Sequence, residues 1–501
     1  MKIDTAAEQP KDLKADLEKG PASNSVTVVV NDDQDGLAAW NGTDDPSHPQ
    51  NWARRRKWKA ISVVSAFTFL SPIASSIIAP SLPDIQRDLH IESKGAVSLC
   101  LTIFVLGFAF GPLVLAPLSE LYGRSIILQT TNVFFIAFNT ACGFSGTAAQ
   151  MMTFRLLGGI GGSASLALGP AVVADLFSAD ERGLATAIYS FIPILGPAIG
   201  PICGGFIAQY STWRWGFWAT SILSVPVFVA GVLFLEETYA PVLLERKRKA
   251  LSKSEADPSR QDCYNKPRRS FLEEIQDAMV RPLRLLGTQP IIIVMGLYQA
   301  YLYGLMYIVL TTFPVMWQER YRQSVSVGGL NYISLGLGYC CGIQLSGHLQ
   351  DYLYRILKKR HDGVGQPEFR ILLLMPVSIL ILPAGFMLYG WSAEKTTHWI
   401  VPNIGAFIFA AGIMMGFNSL MPYILDSYPT YAASASAATV VLRCVAGFVL
   451  PLGAGDLYSR LGWGWGNTLL GALAFGPGTM ATMALFFWGP KLRARSTFAC
   501  Q

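Results

Sequence analysis

Residues 97–118 read VSLCLTIFVLGFAFGPLVLAPL, a run of 22 residues with no formal charge. A helix needs roughly 20 apolar residues to cross a hydrocarbon core about 30 Å thick, so this stretch alone is long enough to span a bilayer. Eleven further windows of the same kind lie near 60–80, 126–145, 151–174, 183–207, 215–235, 291–313, 328–349, 371–391, 399–421, 432–454 and 467–488, interrupted only by Arg155 and Arg443. Twelve spans account for the composition: charged residues are 14% of the 501-residue chain, against roughly 25% in an ordinary globular protein. So few charges cannot clothe a water-facing surface, which excludes a soluble enzyme, a disordered chain and a nucleic-acid module. The 47 glycines and 29 prolines recur inside the spans, where a bundle in lipid tolerates them.

The basic residues give an orientation. With a cytoplasmic N-terminus, 26 Lys/Arg fall in segments flanking the inner ends of the spans, and seven (Arg87, Lys94, Arg214, Arg320, Arg322, Lys395, Arg460) fall in the outer loops. That asymmetry is the positive-inside pattern, and with an even number of spans it predicts both termini in the cytoplasm. The net charge of +6 is therefore read as topology, with no nucleic-acid partner. Cys100, Cys142, Cys203 and Cys444 lie within spans as small apolar residues, Cys340 and Cys341 are adjacent, and no metal or cofactor site is predicted. The first 57 residues carry no cleavable signal, and the sequon Asn41-Gly42-Thr43 falls on the cytoplasmic side, where glycosylation is not expected.

The predicted organisation is a cytoplasmic tail (1–57), a six-helix bundle (58–235), a cytoplasmic linker (236–290), a second six-helix bundle (291–488) and a short tail (489–501). The fold class is all-α: a polytopic membrane protein of twelve transmembrane helices in two pseudo-symmetric halves. Such tandem arrays place a substrate site between the halves near the midplane. The second span of each half ends similarly. One reads Glu120-Leu121-Tyr122-Gly123-Arg124; the other runs from Gly347 through Asp351 to Arg355, with Glu120 and Asp351 231 positions apart.

At these residues the chain resembles the major facilitator superfamily and, within it, the fungal twelve-helix drug:proton antiporter group. Glu120, Gly123 and Arg124, with Gly347, Asp351 and Arg355, resemble the family's loop 2–3 motif, although Glu120 replaces the usual aspartate and Leu121 the usual base. The resemblance implies a cytoplasmic gate of ion pairs that latch the bundles when that side is closed; ordinary interfacial anchoring is the alternative. Gly196, Pro197, Gly200, Pro201, Gly204 and Gly205 in span 5 resemble the antiporter motif. Its glycines share one helix face, so it reads equally as a packing surface. Its span-11 counterpart is reduced to Gly447 and Pro451. Pro49-Gln50-Asn51-Trp52, Glu237-Thr238-Tyr239-Ala240-Pro241 and Tyr431-Ala432-Ala433-Ser434-Ala435 also look like members of this group.

Arg155 opens a stretch resembling the family's helix-4 motif, which implies a part in proton transfer; a snorkelling interfacial arginine is the alternative. Arg443 falls at about the centre of span 11, where a charge costs at least ~2.5–3.5 kcal/mol, so it is expected to face a cavity or a buried partner. No acidic residue sits mid-membrane. The proton is left to a rim carboxylate such as Asp175 or to a histidine such as His348, for which a packed interfacial role is the favoured reading. Tyr303 and Tyr307, one turn apart in span 7, suggest with Asn418 a cavity for a moderately hydrophobic, partly polar molecule.

Glycines 158–162 lie in a span with no preceding strand, and neither GxxxxGK[ST], GxSxG nor HExxH occurs, so neither ATP use nor enzyme activity is expected. The expected function is secondary active export of a small organic compound (drug, toxin or secondary metabolite) by proton antiport with alternating access. The site is expected at the plasma membrane or the vacuolar membrane, with a single chain sufficing as a monomer. An uptake symporter of the same fold and a non-transporting receptor or scaffold are the alternatives.

Overall fold

The computed structural model describes residues 40, 45–178, 181–254, 271–361, 366–428, 432–494 and 496. The sequon Asn41-Gly42-Thr43, Tyr431, most of the predicted N-terminal tail and the end of the C-terminal one lie outside these residues. In lipid, backbone polar groups must pair within the segment, and the described residues accordingly form helices and no strand. The first half holds α1 (Arg54–Ser76), α2 (Lys94–Tyr122), α3 (Arg124–Gly143), α4 (Ala148–Leu176), α5 (Arg182–Tyr210) and α6 (Arg214–Phe234). The second opens with α7 (Pro290–Glu319) and α8 (Tyr332–Arg360). The third span, α9 (367–394), is irregular: a 3₁₀ turn Pro367–Leu373, then a π-type turn Val377–Ile381 before the regular helix Leu382–Glu394. Next comes α10 (Ile400–Ser427).

From Ala432 the helix runs on through the 3₁₀ turn Leu450–Gly453 until Gly462, at φ 72° and ψ 176°, reverses it. A positive φ is cheap only for glycine. This one residue divides a 61-residue apolar stretch, Ser434–Ala494, into α11 (432–461) and α12 (463–494). Nine described helices are long and apolar enough to cross a membrane. The fold at Gly462, the more polar α8 and the irregular α9 bring the spans to twelve.

The repeat is visible in the packing. α2 packs on α4, α1 on α5, α3 on α4 and α3 on α6; six helices later, α8 packs on α10, α7 on α11, α9 on α10 and α9 on α12. The halves meet through α2 with α11 and α5 with α8, each pair exchanging into the other under the repeat. α1 and α7 are the most enclosed spans, whereas α6 exposes Ile222, Leu223, Val229 and Leu233 and α12 exposes Phe475, Met480, Phe487 and Trp488. Apolar surface on that scale fits a lipid-facing perimeter.

Both ends of each half lie on one face of the molecule, here the linker face; the opposite side is the far face. The linker is not irregular throughout. It contains helices Ala240–Ser254 and Phe271–Thr288, and the second packs on both α2 and α11. Hydrogen bonds between the halves among the described residues include Gln318 Nε2 to the Pro80 carbonyl at 3.5 Å, Ser326 N to Gln209 Oε1 at 2.9 Å, and Ser75 Oγ with Tyr307 Oη at 3.5 Å. The first two are at the far face, which is closed, and the third is deeper in the membrane.

Candidate functional site

The end of α1 is the hub of the site. The carbonyls of a helix's last four residues have no partner farther along the helix, and in α1 two of them, Ala74 and Ser75, face Arg155 of α4. Nη1 donates to the Ala74 carbonyl at 2.8 Å and Nη2 to the Ser75 carbonyl at 2.9 Å. Nε donates to the Cys100 carbonyl at 3.0 Å, and Nη2 to Leu101 in α2 at 3.1 Å. Phe104 and Phe217 cover the guanidinium with ring centroids 4.7 and 5.7 Å away, and the residue is 1% exposed. The side chain therefore points into the bundle and does not snorkel. It places a cation at a helix C-terminus, where the dipole favours one, and ties three helices together.

The glycines of α5 meet the same segment of α1. A Cβ on Gly196 would strike Pro72, on Gly200 the Ser76 hydroxyl, and on Gly204 the Ile77 carbonyl. Ser76 Oγ also lies 3.3 Å from the Gly196 carbonyl as donor. Gly205 faces the second half, where a Cβ would lie 2.9 Å from the Val325 carbonyl, and the Pro201 carbonyl closes on Gly329. The motif thus seats α1 on α5 and, through Pro201 and Gly205, joins the halves at the far face. Pro193, Pro197 and Pro201 all lie inside this helix.

Towards the midplane, Tyr307 of α7 reaches Ser75 of α1 across the interface. Its ring lies 5.0 Å from that of Tyr303, which in turn lies 5.4 Å from the guanidinium of Arg443 in α11. Phe417 of α10 packs on Tyr303 at 6.0 Å and lies 5.9 Å from the same guanidinium. Gly447, one turn along α11, makes room for both tyrosine rings. Arg155, Ser75, Tyr307, Tyr303 and Arg443 thus form one succession of contacts across the interface between the halves. Asn418 does not join them: its amide donates to Ser346 Oγ in α8 at 2.7 Å.

The linker-face motif folds inside its own half. Buried Arg124 lies 3.8 Å from Glu120 and 3.5 Å from Asp175 at the end of α4, and donates to Ser119 Oγ at 2.5 Å. Gly123 has φ 107°, and a Cβ there would strike Glu237. The Glu237 carboxylate is buried and accepts from the backbone N–H groups of Arg124 (2.9 Å), Ser125 (3.3 Å), Thr238 (3.1 Å) and Tyr239 (3.0 Å). It therefore caps the N-terminus of α3, where free donors and the dipole attract an anion. Tyr239 stacks on Arg124, centroid 4.7 Å away; burial and the nearby Glu120 carboxylate push its phenol above the usual range.

In the second half Asp351 and Arg355 are exposed, and Arg355 Nε donates to the Asp351 backbone carbonyl at 3.2 Å. A Cβ on Gly347 would meet nothing within 4 Å. His348 is exposed and its ring Nδ1 lies 2.8 Å from the Gln344 carbonyl. The arrangement equivalent to Arg124 with Asp175 is instead Arg370 at the start of α9 with Asp426 at the end of α10, 2.5 Å apart. Beside it, Arg493 of α12 pairs with buried Glu368 at 3.4 Å.

Two repeated six-helix bundles, with a motif of this geometry after the second helix, match a known architecture. A family model described as Major Facilitator Superfamily matches residues 64–451. The chain belongs to the Major Facilitator Superfamily. Members of this superfamily are membrane-embedded transporters of small molecules, not enzymes. Among its relatives are the efflux pump vrtL of Penicillium aethiopicum, 43% identical over 99% of this chain and 98% of that one, and the efflux pump radE of Floropilus chiversii, 37% identical over 96% and 89%. An uncharacterized transporter of Schizosaccharomyces pombe is 43% identical over 96% and 98%. Among solved structures, the xylose transporter XylE from E. coli, in a partially occluded inward open conformation, superposes with a TM-score of 0.63 at 15% identity, covering 86% of this chain and 97% of that one.

Several residues of this arrangement are not marked by the sequence alone. Glu237 stood inside a quoted stretch, but nothing in its own neighbourhood marks it as the cap of a helix more than a hundred residues earlier. Arg370 and Asp426 could have been found by matching the ends of corresponding helices, α3 with α9 and α4 with α10, in place of matching the motif. Phe417 carried no signal beyond its place beside Asn418.

Proposed function

We propose that this superfamily member exports a small, moderately hydrophobic organic compound by proton antiport, cycling between states open to alternate sides. The observation that carries the reading is the near-full-length similarity to relatives named as efflux pumps, together with the glycine face of α5 packed on α1. The positive-inside pattern supports a cytoplasmic linker face with both termini on that side; the membrane proposed is the plasma membrane, with the vacuolar membrane as the alternative. On that orientation the closed far face is the outer one, and the state described here receives its substrate from the cytoplasm.

Coupling requires a group that gains and loses a proton as the halves rearrange. The spans hold no carboxylate in their interiors among the described residues, so the proton is assigned to the rim: Asp175 is half-buried, paired with Arg124 and next to the Glu237 cap. Protonating Asp175 removes one partner of Arg124 and loosens the end of α4 from the start of α3. Arg155, enclosed and fully engaged, serves in this reading to hold α1 while the halves move.

Reconstitution into liposomes with an imposed pH gradient, against a panel of lipophilic compounds, tests the proposal. Efflux that follows the gradient and is lost in Asp175→Asn supports it. Flux indifferent to the gradient overturns the coupling. Cells lacking the protein separate direction: higher internal substrate supports export, lower supports an uptake symporter, and no change for any compound sinks transport of that panel altogether.

A further inference from the structure

We propose that the exported compound is an organic anion, a carboxylate or acidic phenol on an apolar frame, with its negative group held at Arg443. The proposal rests on the export reading above and deepens it by naming the substrate class.

The charge inventory of the membrane interior carries the argument. Among the described residues the spans contain two interior arginines and no interior carboxylate: Glu120, Asp175, Glu319, Asp351, Glu368, Glu394, Asp426 and Asp456 all lie near helix ends or, for Asp351, on the extension of α8 at the linker face. Arg155 is unavailable to a ligand, since its donors go to four backbone carbonyls under two aromatic rings. Arg443 also lies against two rings, but its polar contact is with the neutral Cys444 thiol, with no set of backbone carbonyls around it among the described residues. It is only half-buried, its Nε is buried with no hydrogen-bond partner, and no carboxylate lies within 4 Å of it among the described residues.

The rings of Tyr303 and Phe417 flank the guanidinium, but a ring quadrupole offers a cation only a weak attraction and leaves its charge uncancelled. An uncompensated guanidinium in a low-dielectric wall focuses positive potential into the space beside it. It repels an organic cation and offers an anion a planar, forked donor. The flanking rings supply the apolar contact that an amphipathic acid needs. Tyr307, hydrogen-bonded to Ser75, sets this wall against the first half, so a ligand at Arg443 sits where the halves move past one another.

The test uses the full chain in nanodiscs and two xanthene dyes of opposite charge, fluorescein and a cationic rhodamine ester, with binding read by fluorescence polarisation. Fluorescein is expected to bind at least about tenfold more tightly than the ester. Arg443→Gln is expected to weaken fluorescein by about tenfold or more without weakening the ester, and Arg443→Lys to retain most of the preference because the charge remains. Size-exclusion profiles of both variants guard against misfolding. Equal binding of the dyes, binding of neither, or undiminished fluorescein binding in Arg443→Gln overturns the proposal. Flux in proteoliposomes separates it from the reading beneath it. Charge-dependent binding without flux leaves the anion site and removes the export function, whereas pumping of the rhodamine ester alone leaves export and removes the anion site.

Discussion

Arg155 and Arg443 are each a lone arginine inside an apolar helix, and the protein treats them oppositely. Arg155 finds carbonyls already lacking partners at the end of α1 and is enclosed with every donor directed at a backbone oxygen or beneath a ring. Arg443 finds two aromatic faces and an unpaired Nε. The first pattern is what a structural charge looks like when its cost is offset by bonds; the second leaves the charge available. The difference teaches that an arginine in a membrane span is a question about its donors, and that the sequence position alone does not answer it.

The sharpest way to break the comparison is to remove both charges and measure stability. Arg155→Leu leaves the α1 carbonyls without their donor and is expected to cost about 3–5 kcal/mol, read as a large fall in the thermal unfolding temperature of the purified protein. Arg443→Gln removes a charge that has no counter-ion and is expected to leave stability unchanged or to raise it. Arg155→Lys is not a rescue, because one ammonium cannot span carbonyls on two helices. Comparable losses from Arg155→Leu and Arg443→Gln would erase the distinction.

The glycines extend the contrast between the halves. On Gly204 of α5 a side chain strikes the backbone of α1, whereas on Gly447 of α11 it meets only the Tyr303 and Tyr307 rings. Rings rotate and a helix backbone does not, so Gly204→Ala is expected to cost about 1–3 kcal/mol and Gly447→Ala less. Melting curves of the two variants side by side decide it; an equal or reversed order would show that α5 yields as readily as α11.

At the linker face the same asymmetry recurs. The first half fastens its Arg124 cluster through Glu237 and four backbone N–H groups, and Glu237→Ala is expected to cost about 1–3 kcal/mol by leaving those donors buried. Gly347, in the second half's counterpart of the motif, meets nothing within 4 Å, and Gly347→Ala is expected to stay within about 0.5 kcal/mol. Protease sensitivity near Leu235 is the local readout for the first variant.

What the sequence made legible follows from the solvent. A bilayer forbids stray charge over about 20 residues, so the spans and the two arginines were visible at once, as was the repeat. The limits are equally physical. The helix Phe271–Thr288 is short and amphipathic in a charged stretch, and reads as linker. The irregular start of α9 has no periodicity to betray it. Matching motif to motif from Glu120 led to Asp351 and Arg355, which extend beyond the packed bundle, while the contact equivalent to Arg124 with Asp175 arises from Arg370 and Asp426, residues that share no motif. Donor counts, which separate Arg155 from Arg443, exist only once helices pack.

The smallest effect belongs to the contact that links the two arginine environments. Tyr307 Oη and Ser75 Oγ are 3.5 Å apart, a long hydrogen bond, and Ser75 also donates to the Pro72 carbonyl at 2.8 Å. Tyr307→Phe keeps the ring that packs against Tyr303 and loses this weak bond together with the hydroxyl contact to Tyr303, so stability is expected to fall by about 0.5 kcal/mol. Its kinetic consequence is the informative part. The bond joins the halves in the state with the far face closed, and its removal is expected to favour the opposite state slightly, by a factor of about two. Accessibility of a cysteine placed at Gln318, beside the far-face contact with Pro80, measures that shift. An unchanged labelling rate would show that the far-face contacts hold the closed state without help from the midplane, and would leave Arg155 and Arg443 in separate, uncoupled environments.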